Sequence, residues 1–220
     1  MCGRYTVRSI QPVSELFGIA LPPEFRPRFN IAPTQDVPVV RSSEGGRRVD
    51  LLHWGLVPRW AEDPSIGNRM INARAETAAE KPAFRDAMKR RRCLVPADAF
   101  YEWKVVPGEK RKQPHLIRMK GDRPFAIGGL WEHWGRDGND LDSFTILTTT
   151  PNELVSGIHD RMPVIVARED FDRWLDPALP ADGVKDLLRS YAASEMQASP
   201  VGTRVNNPRV DDPACAEPLA

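Results

Sequence analysis

Cys93-Leu94-Val95-Pro96-Ala97-Asp98-Ala99-Phe100-Tyr101-Glu102-Trp103 is an apolar, aromatic-rich stretch that reads as one strand, and the fold follows from it. Similar segments flank it: Val37–Arg41, Val49–Leu56, His115–Lys120, Phe125–Trp134, Phe144–Thr149 and Met162–Val166. Pro107-Gly108 and Asp137-Gly138 mark loop tips between neighbouring strands. Helical signals are fewer. Thr77 to Glu80 has capping-box spacing and Pro82 suits a first turn, after which Phe84, Ala87 and Met88 fall on one side and Arg85, Lys89 and Arg92 on another. Phe171–Leu175 and Val184–Tyr191 read as further short helices. Strands and short helices in this order predict an α+β fold, one domain over residues 1–209 with a largely antiparallel sheet. The acidic, Pro- and Ala-rich 210–220 segment reads as a disordered tail.

The bulk numbers fit one domain. The chain has 220 residues, 41% hydrophobic and 28% charged, enough for a sizeable core under a well-solvated surface. Its 31 basic and 30 acidic residues nearly cancel, so any nucleic-acid surface must arise from clustering of cations. The three cysteines, Cys2, Cys93 and Cys215, have no spacing for a disulfide framework or a zinc site, and the scatter of His53, His115 and His133 gives no metal-ligand motif. No metal and no cofactor is expected. Without a signal-like leader or a long apolar run, the expectation is a cytoplasmic protein that does not enter membranes.

The N-terminus carries the chemistry. Methionine aminopeptidases remove Met1 when the next residue is small, and cysteine qualifies. Cys2 would then present an α-amine and a thiol on adjacent carbons. An α-amine has a pKa of about 7.7 against about 10.4 for lysine, so far more of it is free base at neutral pH. It attacks an aldehyde to give an imine, and the thiol closes that imine into a thiazolidine. The ring-opened sugar of an abasic site offers such an aldehyde. On residues alone, Cys2 is equally readable as a small residue near a terminus, Glu102 as a solvent-facing strand residue, and His159-Asp160-Arg161 as a polar turn. Cys93 reads as a buried core thiol.

Four blocks stand out: Met1-Cys2-Gly3-Arg4-Tyr5, Ile71-Asn72-Ala73-Arg74-Ala75-Glu76-Thr77, Phe100-Tyr101-Glu102-Trp103 and Ile158-His159-Asp160-Arg161-Met162-Pro163. With Phe29-Asn30-Ile31-Ala32-Pro33-Thr34 and Trp54-Gly55-Leu56-Val57-Pro58, they resemble, in order from residue 2 to about residue 207, the SOS-response-associated peptidase (SRAP) or abasic-site processing family. The resemblance implies a barrel-like sheet with short peripheral helices. It implies a DNA–protein crosslinking enzyme of the SOS response, with autoprocessing peptidase (hydrolase) and lyase-like character, acting on abasic sites in single-stranded DNA and nucleoid-associated when bound. Cys2 would be the nucleophile, Asn72 would orient the reacting end, Glu102 would move protons and assist reversal, and His159 would donate to the sugar oxygen. Arg4, Arg74 and Arg161 would contact phosphates, Trp60 would wedge against a base, and Pro33 would line the groove. A monomer is expected.

Independently of the family, imine formation needs a group that accepts and donates protons near neutrality, and a carboxylate desolvated between Tyr101 and Trp103 meets that need. Lys89-Arg90-Arg91-Arg92, the densest basic run, reads as a solvated helix end rather than a DNA contact. Two other functions use the same residues: an N-terminal-nucleophile cysteine peptidase or amidohydrolase, in which Cys2 attacks an acyl carbon, and a noncatalytic single-strand binding module.

Overall fold

A computed structural model describes residues 2–136 and 138–219. Its strands are β1 (Tyr5–Val7), β2 (Arg28–Ile31), β3 (Asp36–Ser43), β4 (Gly46–Trp54), β5 (Asn72–Arg74), β6 (Arg92–Ala97), β7 (Ala99–Lys104), β8 (Gln113–Met119), β9 (Phe125–Arg136), β10 (Asn139–Thr149), β11 (Met162–Pro163), β12 (Ile165–Val166) and β13 (Met196–Pro200). The helices are short: α1 (Ile10–Phe17), α2 (Ala75–Ala78), α3 (Arg85–Arg90), α4 (Glu153–Ser156) and α5 (Phe171–Leu175). Strands β10, β4, β3, β6 and β9 follow one another, and a β9–β10 ladder closes them into a barrel. A second sheet runs β13-β8-β7-β1-β2. Pairing is antiparallel except where β10 meets β4 and β5, so the fold is α+β with a largely antiparallel sheet, as expected.

The opening stretch is two strands rather than one. It breaks at Asp98, and β6 stays in the barrel while β7 crosses to the second sheet. Asp98 is buried and makes the corner. Its carboxylate accepts from the Thr6 hydroxyl, the Arg8 and Ser9 backbone N–H groups and the Arg8 guanidinium, and its own N–H donates to Thr6 O. Every residue of β6 and the first four of β7 are buried, so the alternation that marks a one-sided strand is missing and the break was hidden. Trp54 ties the layers together: fully buried, it meets Tyr5 of the second sheet edge-on at 5.3 Å and stacks on Phe144 of the barrel at 6.2 Å.

Several expectations are corrected. Thr77 caps nothing; its carbonyl accepts from Glu80 and Lys81 N–H in a turn, and α3 begins later, after Phe84. Residues 184–191 give a 3-10 turn over Ala181–Leu187 instead of an α-helix. Arg92 is not part of a solvated helix end. It is buried in β6 and donates to the carbonyls of Met88, Lys89, Trp174, Asp176 and Leu179. Residues 210–219 are packed rather than frayed: Cys215 and Ala216 are buried, Pro218 bridges Val201, and Asp211 accepts from the Phe29 and Asn30 N–H groups. The Pro107-Gly108 turn joins β7 to β8 as expected, whereas Asp137 lies outside the described residues. Among the described residues no helix is long and apolar enough to cross a membrane.

Candidate active site

The site forms where the two sheets meet, and each side chain is placed by strand register. β1 pairs with β7 through Tyr5 opposite Phe100 and Thr6 opposite Ala99, and Tyr101 N–H donates to Arg4 O. Continued by two residues, that register sets Gly3 opposite Glu102, so the start of the chain lies over the Glu102 carboxylate. From the barrel, β5 runs parallel to β10 with Asn72 opposite Ile146. The Asn72 Nδ2 donates to the Cys2 carbonyl at 2.9 Å. Past β10, helix α4 and β11 bracket the turn that carries His159, and β11 returns to pair with Thr148 and Thr149. Cys2, Asn72, Glu102 and His159 are therefore brought together from β1, β5, β7 and the α4–β11 turn. Met1 lies outside the described residues.

The electrostatics differ from group to group. Glu102 is 1% exposed, not solvent-facing, and burial pushes its carboxyl up to about 7, with the nearby Asp160 carboxylate adding to the rise. The His159 Nε2 lies 3.7 Å from Glu102 Oε2. Burial lowers the His159 imidazole below its ordinary value, so the ring is neutral at pH 7. Its Nδ1 accepts the Arg161 backbone N–H at 3.0 Å, an arrangement that suits a ring proton on Nε2, toward Glu102. The Asp160 carboxylate also lies 2.9 Å from Nδ1 and favours a proton there, so the Arg161 N–H and Asp160 compete for that nitrogen. The Cys2 thiol is wholly buried, and burial, followed by the charge of Glu102, raises it well above the usual thiol range. Asn72 Oδ1 is buried with no hydrogen-bond partner among the described residues, leaving an acceptor beside the chain start.

Of the residues expected to touch DNA, two are committed to protein acceptors. The Arg4 guanidinium donates to Asn30 Oδ1 and to the Val205 and Asn206 carbonyls. Arg161 forms a two-pronged pair with Glu76, at 2.7 and 2.8 Å, and also donates to Thr148 O. Arg74, next to Asn72 on β5, is exposed. Trp60 is 58% exposed on the loop that returns directly to β5. That loop is rigidly seated: Trp134 Nε1 donates to Ala61 O, and Gly55 and Gly67 pack backbone to backbone. A Cβ on Gly67 would lie 2.5 Å from Gly55 O, so no other residue fits without movement. Pro33 is half-buried on the β2–β3 loop and makes no polar contact with the four clustered residues. Sequence reasoning missed Glu76, Asn206, Arg111 and Lys112. The last three line an open cleft of about 510 Å³ together with Glu102, Trp103 and His159. The signal available was the density of cations, Lys110-Arg111-Lys112, after the Pro107-Gly108 loop tip. No group of three or more His, Cys, Asp or Glu among the described residues is arranged to hold a metal ion.

A closed barrel with a second sheet, joined over Cys2 and a buried carboxylate facing a half-buried imidazole, defines a protein of the SRAP type. The chain belongs to the SOS response associated peptidase (SRAP) family, whose model matches residues 1–208. It is 44% identical over 223 residues, 99% of each chain, to the abasic site processing protein YoqW of Bacillus subtilis. It is 32% identical to the abasic site processing protein HMCES of Gallus gallus, over 89% of this chain and 67% of that one. A crystal structure of a Bacteroides thetaiotaomicron protein superposes over 100% of both chains with a TM-score of 0.88 at 24% identity, a likeness of fold.

Proposed function

We propose that this protein captures abasic sites in single-stranded DNA through Cys2, once Met1 has been removed, by a reversible thiazolidine crosslink, and that it acts as a monomer. The observation that carries this reading is the convergence on Cys2 of Asn72, which holds its carbonyl, and Glu102, whose carboxyl is pushed up to about 7. The steps balance. The Cys2 amine adds to the sugar C1′ aldehyde, Glu102 donates a proton to the carbinolamine hydroxyl, and water leaves to give the imine. The thiol then adds across C=N, its sulfur bonding C1′ and its proton passing to nitrogen. The amine reacts first, and the sulfur of the same residue then closes the ring on the imine carbon. His159, neutral with its proton on Nε2, donates to the sugar ring oxygen as the ring opens. Glu102 serves the reverse direction as a base. The relatives' names support the substrate class.

The test is intact-mass measurement of the purified protein, then of the same protein after incubation with a single-stranded oligonucleotide bearing one abasic site. The expected product lacks Met1 and gains one oligonucleotide minus one water, and it survives denaturing electrophoresis. Cys2→Ala and Cys2→Ser, which keep the α-amine but lack the thiol, give no adduct that survives denaturation unless borohydride first reduces the imine. An undiminished adduct with Cys2→Ala, or a chain isolated with Met1 in place, sinks the proposal.

A further inference from the structure

Of the three cations first expected to hold DNA, Arg4 and Arg161 are engaged and Arg74 is exposed; two further exposed cations lie at the β7–β8 hairpin. Arg4 and Arg161 already satisfy protein acceptors, so a phosphate must compete with Asn30 and Glu76 for them. Arg111 and Lys112 are exposed at the start of β8, with no hydrogen bond or ion pair to any described residue. They line one cleft with Glu102 and His159. Its wall is fixed, because Trp103 Nε1 donates to Asn206 Oδ1 at 2.7 Å and so locks the half-buried indole in place. Lys112 is near enough to act electrostatically on both Glu102 and His159. A strand reacting at Cys2 carries a phosphodiester on each side of the abasic sugar, and each requires cations.

We propose that the cleft between the β7–β8 hairpin and His159 is a phosphodiester subsite, in which Arg111 and Lys112 bind the phosphate on one flank of the reacting sugar and Trp103 walls the adjoining nucleotide. The proposal rests on the abasic-DNA reading above and assigns it a direction of passage: the strand leaves the reactive centre over Glu102 toward the hairpin. The flank bound here is chosen by backbone charge and shape, so it carries no base preference.

The experiment uses the full chain and a short single-stranded oligonucleotide with a central tetrahydrofuran, an abasic analogue with no aldehyde, so that binding is read without reaction. Equilibrium affinity is measured against salt for wild type, for Arg111→Ala/Lys112→Ala and for Arg111→Lys/Lys112→Arg, each checked for an unchanged thermal midpoint. Each phosphate contact to a single strand contributes roughly 0.7 to the slope of log K against log salt. The double alanine variant is expected to lose between about 0.7 and 1.4 of that slope, and the charge-preserving variant to keep it. Oligonucleotides shortened on one side of the lesion should erase the difference between variant and wild type, while those shortened on the other side preserve it. A folded alanine variant with the wild-type slope overturns the subsite, as does a loss indifferent to which flank is removed. Failure of wild type to crosslink true abasic DNA would strike the function instead and leave this binding result readable by itself.

Discussion

A carboxyl group held near pH 7 inside a protein is costly when charged, and Glu102 shows which way the cost runs. Its folded pKa, about 7, lies above the ordinary 4.5, so between those values the native state holds more protons than the unfolded one. Stability therefore falls as pH rises through that window and levels off above it. Glu102→Gln keeps the shape and removes the charge. It should match wild type below about pH 4.5 and be more stable above pH 7, by a margin of at most about 3 kcal/mol. Thermal or urea melts at acid and mildly alkaline pH check this, and equal stability of the two proteins at pH 8 would refute the buried, raised carboxyl. The same substitution should slow adduct formation by roughly tenfold to a hundredfold and remove the decline in rate above pH 7, since no proton donor is then lost there. Asn72→Ala tests the other support. With the Cys2 carbonyl no longer held, capture should slow by about tenfold while the thermal midpoint moves little, a split read by single-turnover crosslinking beside a melt.

Short elements decide which charges reach a ligand. In the basic run that ends α3 and enters β6, Arg91 pairs with Glu132 at 2.7 Å and Arg92 is buried among helix-end carbonyls, so only Lys89 and Arg90 are exposed. Arg92→Met should cost roughly 3 kcal/mol, because the α3 and α5 ends lose their donor, yet leave DNA affinity as it was. A variant of wild-type stability, or one that binds weakly while folded, would contradict that division of labour. Glu76, in the first turn of α2, occupies Arg161 as a phosphate would, and that pairing holds its carboxyl below the usual range. Glu76→Gln should free the guanidinium, tightening binding to single strands several-fold at low salt and steepening the salt slope by roughly 0.7. No change in slope would mean that Arg161 faces no phosphate. These pairings explain what could and could not be read in advance. Long strands such as β9 and β10 declare themselves by composition, as did Phe171–Leu175. The three-residue β1 and β5, which carry the site, are too short to show a period. Cys2, Asn72, Glu102 and His159 stood out through their motifs, but the commitment of Arg161 to Glu76 is tertiary geometry, invisible until α2 and β11 are set side by side.

At the scale of the molecule, the two chain ends support one another. Asp211 accepts from the Phe29 and Asn30 backbone N–H groups and pairs with Arg28, holding β2. The Asn30 side chain donates to the Val205, Asn207 and Val210 carbonyls and accepts from Arg4, two residues from Cys2. The segment that looked like a frayed tail thus buttresses the strand next to β1 and closes a small second core of Tyr101, Leu116, Val201, Val205 and Cys215. Deleting residues 210–220 exposes that core and leaves the β2 donors unpaired, a loss of roughly 3 kcal/mol or more. For a chain of this size that corresponds to a fall in Tm of roughly 6–12 °C. Because Tyr101 and Glu102 are neighbours on β7, the truncated protein should also capture abasic DNA more slowly at a temperature where it is still folded. Asp211→Asn, which removes only the charge, should lower Tm less and slow capture in proportion. Calorimetry beside a crosslinking time course separates the cases: a truncated chain that melts within about 2 °C of the full one, and reacts as fast, would show that the C-terminal segment bears no weight in holding the site.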